Sequence, residues 1–208
     1  MGSEMCIRDR YELYTSIDSN CLRTKLVNII LEDSDNSKQY EMLGFAIEDE
    51  ESYQNKRQAS FVETPKLKAS ALHRACFFKM LFFQYMIANT DWSVKNQHNL
   101  KFVQLSEEQK PTAMPYDFDY SGFVGYEYSS PHPIIPIESV HERFFFPQYK
   151  SDTLSIQKTR TYFLSIENDI YSICDQAHYM KPEWITESKA YLTSFFEQLK
   201  SEEEYVFR

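Results

Sequence analysis

Hydrophobic positions along the chain follow distinct rhythms, and each predicts a different kind of element. Leu22 to Leu31 is dense in Leu, Val and Ile, and beyond the polar stretch Ser34 to Ser37 a second such run covers Tyr40 to Ile47. Two short apolar runs around a polar link predict a β-hairpin. In its second strand Leu43, Phe45 and Ile47 share one face, whereas Gly44 and Ala46 keep the other thin enough for something to pack closely. A three-to-four spacing takes over from about Lys68 to Ala88, through Leu72, Cys76, Met80, Phe83 and Met86, and predicts a central core helix. The same spacing predicts a helix from about Asp152 to Ala177 on Ile156, Phe163 and Ile170. Another starts at Pro182, a proline in the first turn, and buries Trp184, Tyr191, Leu192, Phe195 and Leu199. Tyr11 to Ile17 is the tail of a helix, and Glu48 to Lys56 is a short one with acidic residues first and basic residues last. Leu100 to Leu105 and Thr112 to Asp117 are short strands around the turn Ser106 to Pro111. The Tyr- and Pro-rich stretch from Asp119 to about Pro136 is loop. The fold class is α+β.

Bulk properties narrow the partners. At 208 residues one domain is the expectation, and 42% hydrophobic with 16% aromatic residues supplies enough large side chains for a core. A formal net charge of −9, with no basic block longer than a dipeptide, argues against nucleic acid as the main partner, because phosphate binding needs a Lys/Arg patch. No apolar run approaches the ~20 residues that span a bilayer, so no membrane span is expected. The four cysteines, Cys6, Cys21, Cys76 and Cys174, form no CxxC pair and have no metal-ligand spacing, and are expected to be isolated thiols, mostly buried. The first ten residues, MGSEMCIRDR, have no pattern continuous with the residues after Arg10, and MCIRDR resembles translated sequencing-adapter read-through. They are set aside from fold reasoning, with the natural protein expected to begin further upstream.

The chemistry concentrates between Asn89 and Gly122. Asp91 lies five residues before Asn96 in a polar loop that follows the core helix and precedes the strand pair. The second strand then ends in Pro115-Tyr-Asp117-Phe-Asp119-Tyr-Ser-Gly122. Phosphoryl transfer from ATP needs such parts in this order: a carboxylate near the acceptor hydroxyl, an amide oxygen on Mg²⁺, and a further carboxylate bridging metal to phosphates. The blander readings are a surface loop for Asp91 and Asn96, and a turn start for Asp117 and Asp119, since Asp accepts local backbone N–H bonds. Of the five histidines only His98 lies near this strip, where a structural hydrogen bond is expected rather than metal ligation. Tyr120, Tyr126 and Tyr128 either contact substrate or shield the loop, and Phe144, Phe145 and Phe146 are expected in the core or as a loop anchor.

Helix, D-x-x-x-x-N loop, hairpin and Asp-containing strand end together resemble the catalytic half of protein-kinase-like folds, above all the atypical CotH kinases and, beside them, the HipA kinases. CotH-like proteins are similar in an N-x-D loop with a nearby His-Asn pair, matched by Asn89/Asp91 and His98-Asn99, and in a P-[WY]-D-x-D strand end, matched by Pro115 to Asp119. The resemblance covers roughly Leu22 to Gly122. It implies a protein-kinase-like fold, with a hairpin and hinge followed by a mainly helical C-terminal lobe that carries a short catalytic hairpin. It divides the chain into residues 11–58 as a remnant of the N-terminal lobe and hinge and residues 59–208 as the helical catalytic lobe. It implies Asp91 as the catalytic carboxylate, Asn96 or Asn99 as a metal-binding amide, Asp117 as a metal ligand, and Asp119 as ligand to a second ion or a loop cap. Ile47 and Glu48 fall where such kinases hang the adenine ring. Mg²⁺ (or Mn²⁺) and ATP would be the cofactors and a protein hydroxyl the acceptor.

Departures accompany the matches. Thr90 replaces the basic residue before the catalytic Asp, the strand end reads DFD rather than DFG, and the four glycines form no phosphate-cradling array. Arg23 and Lys25 have only their charge to recommend them as the nucleotide-binding lysine. A chain lacking most of its N-terminal lobe would be inactive by itself. Two readings from other classes stay open: a kinase-fold pseudoenzyme or binding module without transfer activity, and a metal-dependent hydrolase with Asp91, Asp117 and Asp119 as its carboxylate cluster.

Overall fold

The computed structural model describes residues 3–35, 38–63, 67–106, 108, 110–124, 131 and 133–201. Among these residues six α-helices and two small antiparallel sheets make an α+β fold: α1 (Ser3–Ile17), β1 (Thr24–Glu32), β2 (Gln39–Ile47), α2 (Glu50–Arg57), β3 (Ala59–Phe61), α3 (Arg74–Met86), β4 (Leu100–Leu105), β5 (Thr112–Pro115), α4 (Thr153–Ser165), α5 (Glu167–Gln176) and α6 (Pro182–Lys200). Among the described residues, β1 pairs only with β2, from Thr24 opposite Ile47 to Glu32 opposite Gln39, and the second sheet has the order β3-β4-β5. No helix among the described residues is long and apolar enough to cross a membrane.

α3 is the hub, and its surroundings explain why so apolar a helix is stable. Phe77, Phe82, Phe83 and Met86 are fully buried. Phe83 meets Tyr14 of α1 and Phe118 after β5, while Phe82 meets Phe145 and Phe163 of α4. Edge-to-face and tilted ring pairs at such separations suit the aromatic quadrupole and add to the burial of area. Tyr11, Leu13 and Ile17 of α1 belong to the same core as Leu192, Phe195 and Leu199 of α6, so one apolar core runs from the first helix to the last.

Several expected boundaries move, each for a local reason. The core helix begins at Arg74 and not near Lys68: residues 69–71 make a single 3-10 turn, Leu72 is extended, and the Nδ1 of His73 accepts the N–H of Cys76 as the helix cap. The helix expected from Asp152 to Ala177 breaks at Ile166 (φ −107°, ψ 12°) into α4 and α5, although the apolar stripe continues through the break. β3 carries no strong period of its own and is not among the elements the sequence pattern predicts; Phe61 in it stacks on the fully buried Tyr53 of α2. α1 begins at Ser3, so it includes most of the stretch set aside as adapter-derived, and Asp9 and Arg10 are buried. Cys21 and Cys174 are buried and, with Cys76, are free thiols. Pro65, Tyr126, Tyr128 and His132 lie outside the described residues.

Candidate functional site

Two loops, one leaving the C-terminal end of α3 and the other leaving β5, are sewn together by backbone hydrogen bonds. Gly122 N–H donates to the carbonyl of Ala88 at 3.1 Å, Phe123 N–H to that of Ile87 at 3.0 Å, and Tyr116 N–H to that of Asn99 at 3.2 Å. The approach leaves no room at Gly122, where a Cβ would stand 1.8 Å from the carbonyl oxygen of Val140. His141 Nδ1 meets the carbonyl of Gly122 at 2.6 Å. The half-buried Arg143 donates to the carbonyl of Met86 at the end of α3, to Ser194 Oγ and to the carbonyl of Tyr191 on α6. Sequence reasoning passed over His141 and Arg143, because their partners lie 19 and about 50 residues away and leave no local pattern.

Within this frame Asp91 is fixed from three sides. Its N–H donates to Asn89 Oδ1 at 3.0 Å, its Oδ1 meets His98 Nε2 at 3.0 Å, and Asn99 Nδ2 donates both to its Oδ2 at 3.0 Å and to its own carbonyl at 2.9 Å. The loop turns back on itself through a bridge between Ser93 and His98, with Gln97 (φ 52°) and Asn99 (φ 52°) in the left-handed region, which Asn tolerates better than most residues. That turn aims His98 and Asn99 at Asp91. The two competing asparagines therefore separate: Asn99 is 6% exposed and bonded to Asp91, whereas Asn96 is exposed and its N–H donates to Ser93 Oγ. His98 makes the hydrogen bond expected of it.

Asp117 sits beyond β5 with φ 58°, strained for a non-glycine residue, and its N–H donates to the Tyr11 hydroxyl at 3.1 Å. Phe118 turns the other way, fully buried between Tyr11 and Phe83, so the alternation at the strand end throws Asp117 and Asp119 to the outside and Phe118 into the core. Although Asp117 as a residue is exposed, its carboxyl is held above the usual carboxylate range: partial burial contributes most, then the charge of Asp119 and a hydrogen bond with it, then the charge of Asp91. Burial lifts the Tyr11 phenol to about 12. Among the described residues no three His, Cys, Asp or Glu side chains are close enough to hold a metal ion on their own.

A cleft of about 400 Å³ opens beside Asp91, walled by Thr90, Tyr120, Pro131, Ile137 and Val140, with Asp91 its one charged lining residue among those described. Ile47 and Glu48 lie elsewhere, on a shallow groove with Arg23, Lys25 and Lys56 that shares no lining residue with the cleft. The Glu48 carboxylate is taken by Lys56 at 3.0 Å and Arg57 at 3.3 Å, and its N–H by the carbonyl of Arg23. No protein-family model and no curated protein matches this chain.

Proposed function

We propose that this chain carries the catalytic segment of a CotH-like, ATP- and Mg²⁺-dependent phosphotransferase that acts on a protein hydroxyl. The observation that carries this reading is geometric: the Gly122–Ala88 and Tyr116–Asn99 backbone hydrogen bonds join the loop that holds Asp91 and Asn99 to the strand end that delivers Asp117 and Asp119. Asp117 and Asp119, whose side chains are hydrogen-bonded to each other, offer carboxylate oxygens of the kind a hard divalent ion takes, with water and phosphate oxygens completing its shell. Asp117 and Asp119 would hold such an ion, with the side-chain oxygen of Asn99 as the amide ligand and Asn96 the outer alternative. Mg²⁺ or Mn²⁺ bound there would neutralise phosphate charge during transfer.

The work of this chain's own residues follows from their contacts. Asp91 faces the cleft and would orient an acceptor hydroxyl and receive its proton. Asn99 and His98 fix the carboxylate, which lowers the reorganisation needed when an acceptor arrives. Pro131, Ile137 and Val140 give the cleft beside it an apolar wall. Adenine contact at Ile47 and Glu48 would use the exposed Ile47 side chain, since the carboxylate and N–H of Glu48 are already engaged.

A second reading, a kinase-fold pseudoenzyme or binding module, is favoured by one observation: both carboxylate oxygens of Asp91 already have donors. One experiment separates the two. Nucleotide binding is measured by calorimetry with and without Mg²⁺, and phosphate transfer to a mixture of proteins is measured for wild type and Asp91→Ala. Mg²⁺-dependent binding with transfer that Asp91→Ala abolishes supports the enzyme. Binding without transfer supports the pseudoenzyme, and failure to bind under both conditions refutes the kinase-like reading.

A further inference from the structure

The β1–β2 hairpin is the part of the molecule that the site leaves unexplained. Apart from Ile47, it leaves Ile30, Leu31, Tyr40, Met42 and Leu43 all more than a third exposed. Two strands alone are marginal in water, and open apolar edges are normally blunted by proline, bulges or lysines. β1 has no proline, its register with β2 is unbroken from Thr24 to Glu32, and its one lysine, Lys25, sits at the end of the strand and leaves residues 26–32 without one.

The direction of the free backbone groups follows from the ends of the ladder. Glu48 N–H donates to the carbonyl of Arg23 at 2.8 Å and Asp33 N–H to that of Lys38 at 2.9 Å, so the pairs at both ends are hydrogen-bonded ones. Antiparallel pairing alternates with a period of two residues. The odd-numbered residues of β1 therefore spend their backbone groups on β2, and Thr24, Leu26, Asn28, Ile30 and Glu32 point theirs outward.

We infer that this outward edge pairs with the same edge of a second copy of the chain, antiparallel about Asn28, to form a four-stranded sheet across a two-fold axis. The sequence of the edge is self-complementary in that register. Leu26 of one copy lies opposite Ile30 of the other, Val27 opposite Ile29, and Asn28 opposite Asn28 on the axis. The basic end meets the acidic end: Arg23 falls opposite Asp33 and Lys25 lies diagonal to it, twice by symmetry. The outer edge of β2 fits itself less well, because the same operation sets Glu41 against Phe45 and its one terminal carboxylate, Glu48, is already paired to Lys56 and Arg57. Pairing β1 of one copy with β2 of the next would be head-to-tail and need not close. This surface is independent of the chemistry proposed at Asp91.

The test uses the axis, where a residue meets itself. Mass is followed by sedimentation velocity over a concentration series for wild type, Asn28→Asp and Asn28→Lys, with thermal melts to verify folding. Wild type dimerises reversibly. Each variant alone raises the dissociation constant about five-fold or more, since like charges directly opposite are destabilising, and an equal mixture of the two returns to the wild-type value. Asn28→Cys gives a second readout: hydrogen-bonded antiparallel partners stand with Cα atoms ~5.5 Å apart, within disulfide reach, so mild oxidation yields a covalent dimer that wild type does not form. A wild type that stays monomeric at all concentrations overturns the inference. So does a dimer indifferent to both charges, or failure of the cysteine variant to cross-link.

Discussion

The two sheets of this protein use the same antiparallel pairing and meet opposite fates. In β4 and β5, Leu100, Phe102, Val103, Ala113 and Met114 are all buried, under α3 and the aromatic core. In β1 and β2 the apolar side chains are as large, yet most are exposed or half-buried. For these four strands formation follows from local sequence, whereas what each strand does is settled by what covers it. The covered sheet ends in a fixed, strained turn that delivers Asp117. The uncovered one ends in an edge whose backbone groups have no partner among the described residues.

The sharpest way to break this contrast is to truncate one residue in each sheet. Phe102→Ala, which removes a ring 2% exposed in β4, should cost about 3–5 kcal/mol in urea denaturation. Ile30→Ala, at 56% exposure in β1, should stay within about 0.5 kcal/mol at low protein concentration. A cost at Ile30 approaching that at Phe102 in a dilute sample would mean that the hairpin is covered in solution.

The two glycines that fall one in each region sharpen it further. At Gly122 an added methyl runs into the backbone of Val140, which cannot move without shifting the loop that Arg143 and His141 tie down. At Gly44 the atom nearest to an added Cβ, at 2.5 Å, is the Cδ1 of Ile29, the free end of a flexible side chain. Gly122→Ala should therefore lose about 1–3 kcal/mol. Gly44→Ala should change stability by under about 1 kcal/mol, because a strand glycine is itself unfavourable. The thin face expected at Gly44 exists, and Ile29 from the neighbouring strand fills it.

What the sequence made legible divides along the same line. The hairpin, the core helix, the last helix and the short strand pair all follow from local periodicity, and residues two or four positions apart carry that signal. The break at Ile166 escaped because the apolar stripe runs on through it, and β3 escaped because three residues hold no period. At the site, Asp91, Asn96 and Asp117 stand out by spacing and Asn99 by the resemblance, but that Asn99 is the one packed against Asp91 depends on the left-handed turn at Gln97 and Asn99, a tertiary fact. The groove at Ile47 and Glu48 lies apart from the cleft, and its position depends on how the hairpin leaves the core, on which local sequence is silent.

The asparagine pair gives the next comparison. Asn99→Ala removes both side-chain hydrogen bonds to Asp91 and puts alanine at a positive φ, and should cost about 1–2 kcal/mol, with water replacing part of the loss at the half-exposed carboxylate. Asn96→Ala should stay within about 0.5 kcal/mol. Denaturation of the two variants checks the structural half. Mg²⁺-dependent nucleotide binding, lost in Asn99→Ala and kept in Asn96→Ala, checks the functional half.

The smallest expected effect is electrostatic and has a definite sign. Asp117 holds its proton more tightly in the folded protein than in the unfolded chain, where the carboxyl titrates near 3.8. The folded state is therefore favoured while Asp117 is protonated, and this contribution is lost as pH rises from the unfolded value through the raised folded one. Above that window the ionised carboxylate faces Asp119 and Asp91 and destabilises the fold, by about 0.5 kcal/mol once solvent screening at an exposed residue is allowed for. Asp117→Asn should recover that amount at neutral pH and flatten the profile, as read from urea midpoints between pH 3 and 7. Mg²⁺ offers the discriminating control, because an ion held by Asp117 and Asp119 removes the same repulsion. Added Mg²⁺ should stabilise wild type at neutral pH and leave Asp117→Asn nearly unchanged. Equal stabilisation of both would place the ion away from Asp117, and with it the phosphates that the ion would bridge.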